Sequence, residues 1–184
     1  MSQTPGIIFV KEKRNKHSIR VLAAAFEQHY PDRPYAVCSP TELPSILPDS
    51  KALILCSFNT TKAEEYFSLS KSIRQNYPKI SLACGGPHPS ARSEDCLQYF
   101  DTVCIGEGEL SLKEIVDAFD RGESLGIIHG KRLEDVGLFP VFPRRHIQFG
   151  PLEITRCCPG FCHYCQTPQL FKGKVRHRSV DAIV

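Results

Sequence analysis

The 184-residue chain has no long apolar run. That excludes a membrane-spanning helix, which needs about 20 consecutive apolar residues. The opening Met-Ser-Gln-Thr-Pro lacks a charged segment followed by an apolar stretch, so no secretory signal is expected. Without an export signal, a cytoplasmic location with reduced thiols is expected. There is little excess of either charge. The formal net charge is only +3, which argues for no particular partner. No internal repeat is visible. Hydrophobic residues make up 41% and charged residues 23%, so an ordinary globular chain of one or two domains is expected.

What the chain does have is nine cysteines, in two kinds of setting. Cys38, Cys56, Cys84 and Cys104 sit in apolar, strand-like runs, where a free cysteine behaves as a small buried hydrophobe. Cys96 stands apart, and the other four fall in Arg156-Cys157-Cys158-Pro159-Gly160-Phe161-Cys162-His163-Tyr164-Cys165. From Cys158 the spacing is C-x3-C-x2-C, just after a strand-like Leu152-Glu153-Ile154-Thr155. Three thiolates on one tight loop can hold three irons of a cubane 4Fe–4S cluster and leave the fourth iron open. A structural zinc site would want a second Cys or His pair roughly a dozen residues or more away. No such pair follows before Val184, which leaves His163 and His177 as the zinc alternative. Cys157 adjoins Cys158, poor geometry for one metal, and reads as a small filler.

Ahead of this motif, strand-like and helical patterns alternate. Ile7–Val10, Tyr35–Cys38, Lys51–Cys56, Ile80–Cys84 and Thr102–Ile105 read as strands. The third is too continuously apolar for a half-exposed edge. Ser18–His29, Thr61–Asn76, Ser93–Tyr99 and Leu110–Arg121 read as helices. Buried strands separated by helices predict an α/β fold, a parallel sheet covered on both faces. About five strands fit the flavodoxin-like doubly wound type, whose ligands bind beyond the carboxyl ends of the strands. Ser57-Phe58-Asn59-Thr60-Thr61, Gly85-Gly86-Pro87-His88-Pro89 and Gly106-Glu107-Gly108-Glu109 stand at those ends. Paired glycines there allow close backbone approach to a ligand, or positive φ.

Residues 131–150 contain Pro140, Pro143 and Arg144-Arg145 with no clear period, and read as an ordered connection laid over a surface. Lys172, Lys174, Arg176 and Arg178 read first as a solvated basic face. Ser179 is placed to cap a following helix, with Asp181 in its first turn. Lys11, Lys13, Arg14 and Lys16 could meet a phosphate or an RNA, but no aromatics are interleaved, so nucleic-acid binding is not argued.

Thr155-Arg156 and Cys158-Pro159, with an aromatic before the last cysteine, resemble the radical S-adenosylmethionine (SAM) enzymes. The resemblance implies Cys158, Cys162 and Cys165 as ligands of a 4Fe–4S cluster that binds SAM, with Tyr164 near its adenine. Arg176-x-Arg178-Ser179 resembles the segment leading into the first helix of the radical SAM (β/α) barrel. The strand-end loops, in this order, resemble the cobalamin-binding domain in front of many such enzymes. By resemblance Ser57, Asn59, Gly85 and Gly86 border the slot for the nucleotide tail of cobalamin, and Gly106 and Gly108 shape the neighbouring loop. Some of these domains carry D-x-H-x-x-G, whose His ligates cobalt. Here the register reads Asn15-Lys16-His17-Ser18-Ile19-Arg20. Asn cannot supply the carboxylate that orients the imidazole, and Arg20 replaces the small Gly. Cobalt without a protein histidine ligand is expected.

The organisation implied is a cobalamin-binding-like domain over 1–130, a linker over 131–150, and the start of a radical SAM domain over 151–184. The first barrel strand and the cluster loop are expected there without the rest of the barrel, so the chain resembles the front of a longer protein. The implied activity is SAM cleavage with methyl transfer to an unactivated carbon, served by an external electron donor such as a flavodoxin or ferredoxin. The alternatives are a cobalamin carrier without chemistry and a non-enzymatic flavodoxin-like module with a metal-binding tail.

Overall fold

The computed structural model describes residues 6–146, 151–171 and 173–183. The opening residues 1–5, Gly150, Lys172 and Val184, on which some of the expectations above fall, lie outside the described residues.

Six strands form one parallel sheet: β1 (Ile7–Val10), β2 (Ala36–Cys38), β3 (Ala52–Ser57), β4 (Ile80–Gly85), β5 (Thr102–Ile105) and β6 (Gly126–His129). Their order is β2-β1-β3-β4-β5-β6. This is the flavodoxin-like order extended by one strand. The helices between them are α1 (Lys16–His29), α2 (Leu43–Ile46), α3 (Ala63–Asn76), α4 (Pro87–Ala91), α5 (Ser93–Leu97) and α6 (Ser111–Arg121).

The continuous apolar runs have a direct cause: both faces of the sheet are covered. Ile8 and Val10 face a core with Tyr66, Phe67 and Ile73 of α3. Ile7 and Phe9 face the opposite core, with Ile19, Ala23 and Phe26 of α1 and Leu112, Ile115, Val116 and Phe119 of α6. The central β3 splits the same way, Ile54 and Cys56 to one side and Leu53 and Leu55 to the other. In β1 and β3 side chains alternate between two covered faces, so every position is buried. Among the described residues no helix is long and apolar enough to cross a membrane.

Several expectations change. β6, α2 and α4 were not foreseen; each is four or five residues long, too short for periodicity to register. The expected first barrel strand, Leu152–Thr155, is instead β7 (Thr155–Arg156), which pairs antiparallel with β8 (Arg176–His177). Between them lies α7 (Gln166–Leu170). The helix expected from Ser179 is a single turn among the described residues, with Ser179 Oγ accepting from the Ala182 N–H at 3.2 Å, as a capping hydroxyl does. The basic face is solvated only in part: Lys174 is exposed, whereas Arg176 and Arg178 are both 5% exposed. Arg178 donates to the Phe139 carbonyl at 2.7 Å and the Glu153 carbonyl at 3.2 Å. The connecting segment lies over α1, with Leu133 and Phe139 buried against Ala25.

Asn15 has a role its place in the sequence motif does not suggest. It is buried, and its amide donates to the carbonyls of Val10 (3.0 Å) and Ser57 (2.9 Å) and to Tyr66 Oη (3.1 Å). Its Oδ1 accepts from the Glu12 N–H at 2.7 Å. It thus ties the ends of β1 and β3 to α3. A carboxylate here could not donate to two carbonyls. Asn15→Asp should therefore destabilise the fold by about 3 kcal/mol at neutral pH, because two buried acceptors lose their donor. Urea unfolding followed by circular dichroism measures this; a loss under about 1 kcal/mol would contradict the assignment.

Candidate functional site

The strand order creates a slot. β1 and β5 send their connections to α1 and α6 on one face, whereas β3 and β4 send theirs to helices on the other. Between α1 and α6 the ends of β3 and β4 are therefore left uncovered. The floor there is low because Ala83 and Cys104 are small beside Leu55. The result is a cleft of about 360 Å³ at the carboxyl ends of the strands, large enough for part of a small-molecule ligand.

Ser57, Gly85, Gly86, Gly106 and Gly108 all line this one cleft. Ser57 is buried, its Oγ 3.1 Å from Ser18 Oγ of α1. Gly86 has φ +99°, and a Cβ there would lie 2.8 Å from Ser57 Oγ, so a side chain is excluded twice over. The Gly106 N–H donates to Ser90 Oγ at 3.0 Å, and Gly108 packs against Leu22. Asn59 does not line the cleft. It borders a separate depression of about 250 Å³ and accepts locally from Thr61 Oγ1 at 2.8 Å. His17 is exposed and lies at the rim of both. Arg20 does not enter the cleft; its guanidinium faces the Phe142 ring at 5.7 Å.

The other wall of the cleft comes from the cysteine segment: Glu153, Thr155, Arg156, Cys157 and Phe171. This wall is fixed by charge. Glu107 Oε1 meets Arg176 at 2.5 Å, and Oε2 accepts from Arg176 at 3.1 Å, Arg156 at 3.0 Å and the Leu133 N–H at 2.9 Å. Arg176 also donates to the Leu133 carbonyl. Arg156 pairs with Glu109 at 2.6 Å and bidentately with Glu153 at 2.9 and 2.6 Å. All five side chains are nearly sealed from solvent. Burial alone would raise the Glu107 carboxyl, but hydrogen bonds from Arg176 and the Leu133 N–H, with the charge of Arg156, hold it below the usual range. Burial would lower the Arg156 guanidinium, and the carboxylates of Glu153 and Glu109 push it well up. Sequence reasoning missed this network. The charges of Gly-Glu-Gly-Glu and Arg-x-Arg were in view, but pairing across 49 and 69 residues is invisible to spacing.

All nine cysteines are free. Five are buried, including Cys96; burial pushes the Cys38 and Cys104 thiols up to about 11, so they stay protonated and inert. Cys158 and Cys162 are exposed and Cys165 half-exposed, on the loop beyond Arg156. The Gly160 N–H points at Cys158 Sγ at 3.4 Å, and a Cβ on Gly160 would lie 3.5 Å from that sulfur and 3.8 Å from Cys162 Sγ. The Cys165 N–H bonds the Cys162 carbonyl at 3.0 Å. Three soft donors on one small-residue turn fit an iron–sulfur cluster in kind. Their side chains are not drawn together: among the described residues no three His, Cys, Asp or Glu groups are placed to hold a metal ion. His177 Nδ1 lies 2.9 Å from Thr155 Oγ1, within the ribbon. Cys157 has φ +77°, the left-handed region where a residue with a Cβ is strained. Tyr164 is 92% exposed and takes no part in the cleft.

No protein-family model matches the chain. Over 145 residues it is 27% identical to an uncharacterized methyltransferase of Pyrococcus horikoshii, covering 63% of this chain and 31% of that protein. It is 27% identical over 134 residues to a putative methylthiotransferase of Methanocaldococcus jannaschii, covering 65% and 29%. It is 23% identical over 110 residues to the bacteriochlorophyllide d C-12(1)-methyltransferase of Chlorobaculum tepidum, covering 54% and 24%. The chain thus spans about a third or less of the length of these curated relatives. Among solved structures, it superimposes on the N-terminal domain of a hypothetical protein of Thermotoga maritima with TM-score 0.45 and 26% identity, covering 60% of this chain and 86% of that one.

The charge network fixes the sign of a pH effect. A carboxyl whose folded pKa is depressed contributes stability above its unfolded value, near 4.5, and loses it as pH falls through the folded value. Amide protection of residues 173–178 should therefore drop as pH falls below about 4.5. Glu107→Gln should loosen the same amides at neutral pH and abolish the acid step. Hydrogen exchange with mass spectrometry reads both; an unchanged acid step in Glu107→Gln would remove Glu107 from this role.

Proposed function

We propose that this chain is the front portion of a methyl-transferring radical SAM enzyme. In this reading a 4Fe–4S cluster rests on Cys158, Cys162 and Cys165, and cobalamin enters the cleft at the sheet end. The observation that carries it is the composite cleft: one wall is the strand-end loops, and the other is the backbone that runs through Arg156 and Cys157 into Cys158. A ligand held by Ser57, Gly85 and Gly86 therefore lies beside the cysteine loop. The curated relatives, named as methyltransferases and a methylthiotransferase, support the transfer chemistry.

The chain's own residues have definite tasks in this reading. Ala83, Cys104, Leu112 and Ile115 give the slot apolar surfaces suited to a flat heteroaromatic group such as the dimethylbenzimidazole tail. Gly86 brings the loop backbone close without a side chain in the way. The Gly160 N–H, aimed at Cys158 Sγ, stabilises negative charge on that sulfur. His17 stands at the rim without an orienting carboxylate, because Asn15 is committed to backbone carbonyls. Reductive cleavage of SAM and methyl donation to a carbon radical are the chemistry that such cofactors supply when bound. Tyr164 near the SAM adenine, and an external flavodoxin or ferredoxin as electron source, belong to the same proposal.

Two measurements test it. Anaerobic reconstitution should load close to one 4Fe–4S cluster per chain, lost in Cys158→Ala, Cys162→Ala and Cys165→Ala and retained in Cys157→Ala. Tight zinc binding with no iron uptake would overturn the cluster. Titration with hydroxocobalamin should show binding that Ala83→Leu weakens at least tenfold by filling the slot floor. His17→Ala should leave the visible spectrum unchanged. Absence of binding to the wild-type chain would overturn the cobalamin assignment, and a spectrum dependent on His17 would make that residue a cobalt ligand.

A further inference from the structure

We infer that Glu107 is a positioning residue that couples the cleft to the cysteine loop, so that a ligand in one changes the affinity of the other; this rests on the reading of the cleft and loop given above. Four bonds reach the carboxylate: Oε1 accepts from Arg176, and Oε2 accepts from Arg176, Arg156 and the Leu133 N–H. Arg156 and Arg176 are paired residues of β7 and β8. They stand at the two ends of the segment that carries Cys158, Cys162 and Cys165. A single group from the sheet therefore grips both ends of the cysteine loop.

The grip is anchored on the sheet side as well. A Cβ at Gly130, just past β6, would lie 2.0 Å from the Glu107 carbonyl oxygen, so the missing side chain lets the two backbones touch. On the ligand side, Glu107 and Arg156 line the cleft. Phe171 lines it too, and its ring lies 5.7 Å from the Arg176 guanidinium. A molecule entering the cleft meets the same groups that fix the loop's ends.

A buried ion pair is a weak source of stability but an effective way to hold one arrangement against another, because a misplaced partner is left charged and unpaired. The thermodynamic consequence is linkage: if a ligand alters the loop, loading the loop must alter ligand affinity by the same factor. No bond in this scheme reaches a cofactor. Glu107 acts on the cysteine loop through Arg156 and Arg176.

The test measures hydroxocobalamin dissociation constants for cluster-free and cluster-loaded protein, with amide protection of residues 157–171 in the cluster-free form. In the wild type, loading should change the dissociation constant at least fivefold, within the usual range of coupling, and hydroxocobalamin should raise loop protection. Glu107→Gln should still bind both, with the ratio near one and protection no longer responding. Arg176→Lys keeps the charge but loses the two-pronged bond, so its ratio should also fall toward one, which serves if Glu107→Gln does not fold. A wild-type ratio near one, or a variant that keeps the wild-type ratio, overturns the coupling while leaving both binding assignments standing. Failure of the wild type to bind iron or hydroxocobalamin is a different result, and removes the functional reading with the coupling.

Discussion

A carboxylate buried at the end of a parallel sheet has to find its counter-charge, and in this protein the search determines how the chain's last segment folds. Left alone, Glu107 would cost several kcal/mol or take up a proton. It finds two guanidiniums instead, one from β7 and one from β8. The two-residue strands β7 and β8 could not persist in water unaided. Their arginines, buried among carboxylates of the sheet side, supply the attachment. Arg178, donating to Phe139 and Glu153 carbonyls, extends it along the connecting segment. The position of the cysteine loop is therefore set by electrostatics, whereas the sheet is held by apolar burial.

The cleft follows from the way the sheet is wound. Two neighbouring strands cross to one face and their flanking strands to the other, so a gap opens where the crossings diverge. Small side chains and glycines keep it open, and the ion network brings the cysteine segment across its mouth. The cleft belongs to neither part alone.

Much of the fold was legible in the chain because its cause is local. Continuous apolar runs such as Ala-Leu-Ile-Leu could only be strands buried on both faces, and α1, α3 and α6 carry enough turns for their periodicity to show. The paired glycines marked the strand ends. What escaped has equally physical reasons. β6, α2 and α4 are too short to establish a period. Arg176 and Arg178 looked like solvated charges because their counter-groups lie far away in sequence. Asn15 looked like a motif that had lost its carboxylate, whereas its amide is the group that two strand-end carbonyls require. For the candidate site, the residue types were visible in Cys158, Cys162 and Cys165 and in the glycine loops. That the segment leading into the cysteine loop, through Arg156 and Cys157, forms a wall of the glycine-lined cleft was not visible, because it depends on Glu107.

The central claim is that a molecule in the cleft lies directly beside the cysteine loop. Electron paramagnetic resonance of the reconstituted chain holding both a reduced cluster and cob(II)alamin tests this most directly. The account predicts that the two spin centres interact, so that each signal is broadened or split relative to protein holding only one of them. Glu107→Gln should weaken that interaction. Two superimposed, unperturbed spectra from wild-type protein loaded with both would contradict the account.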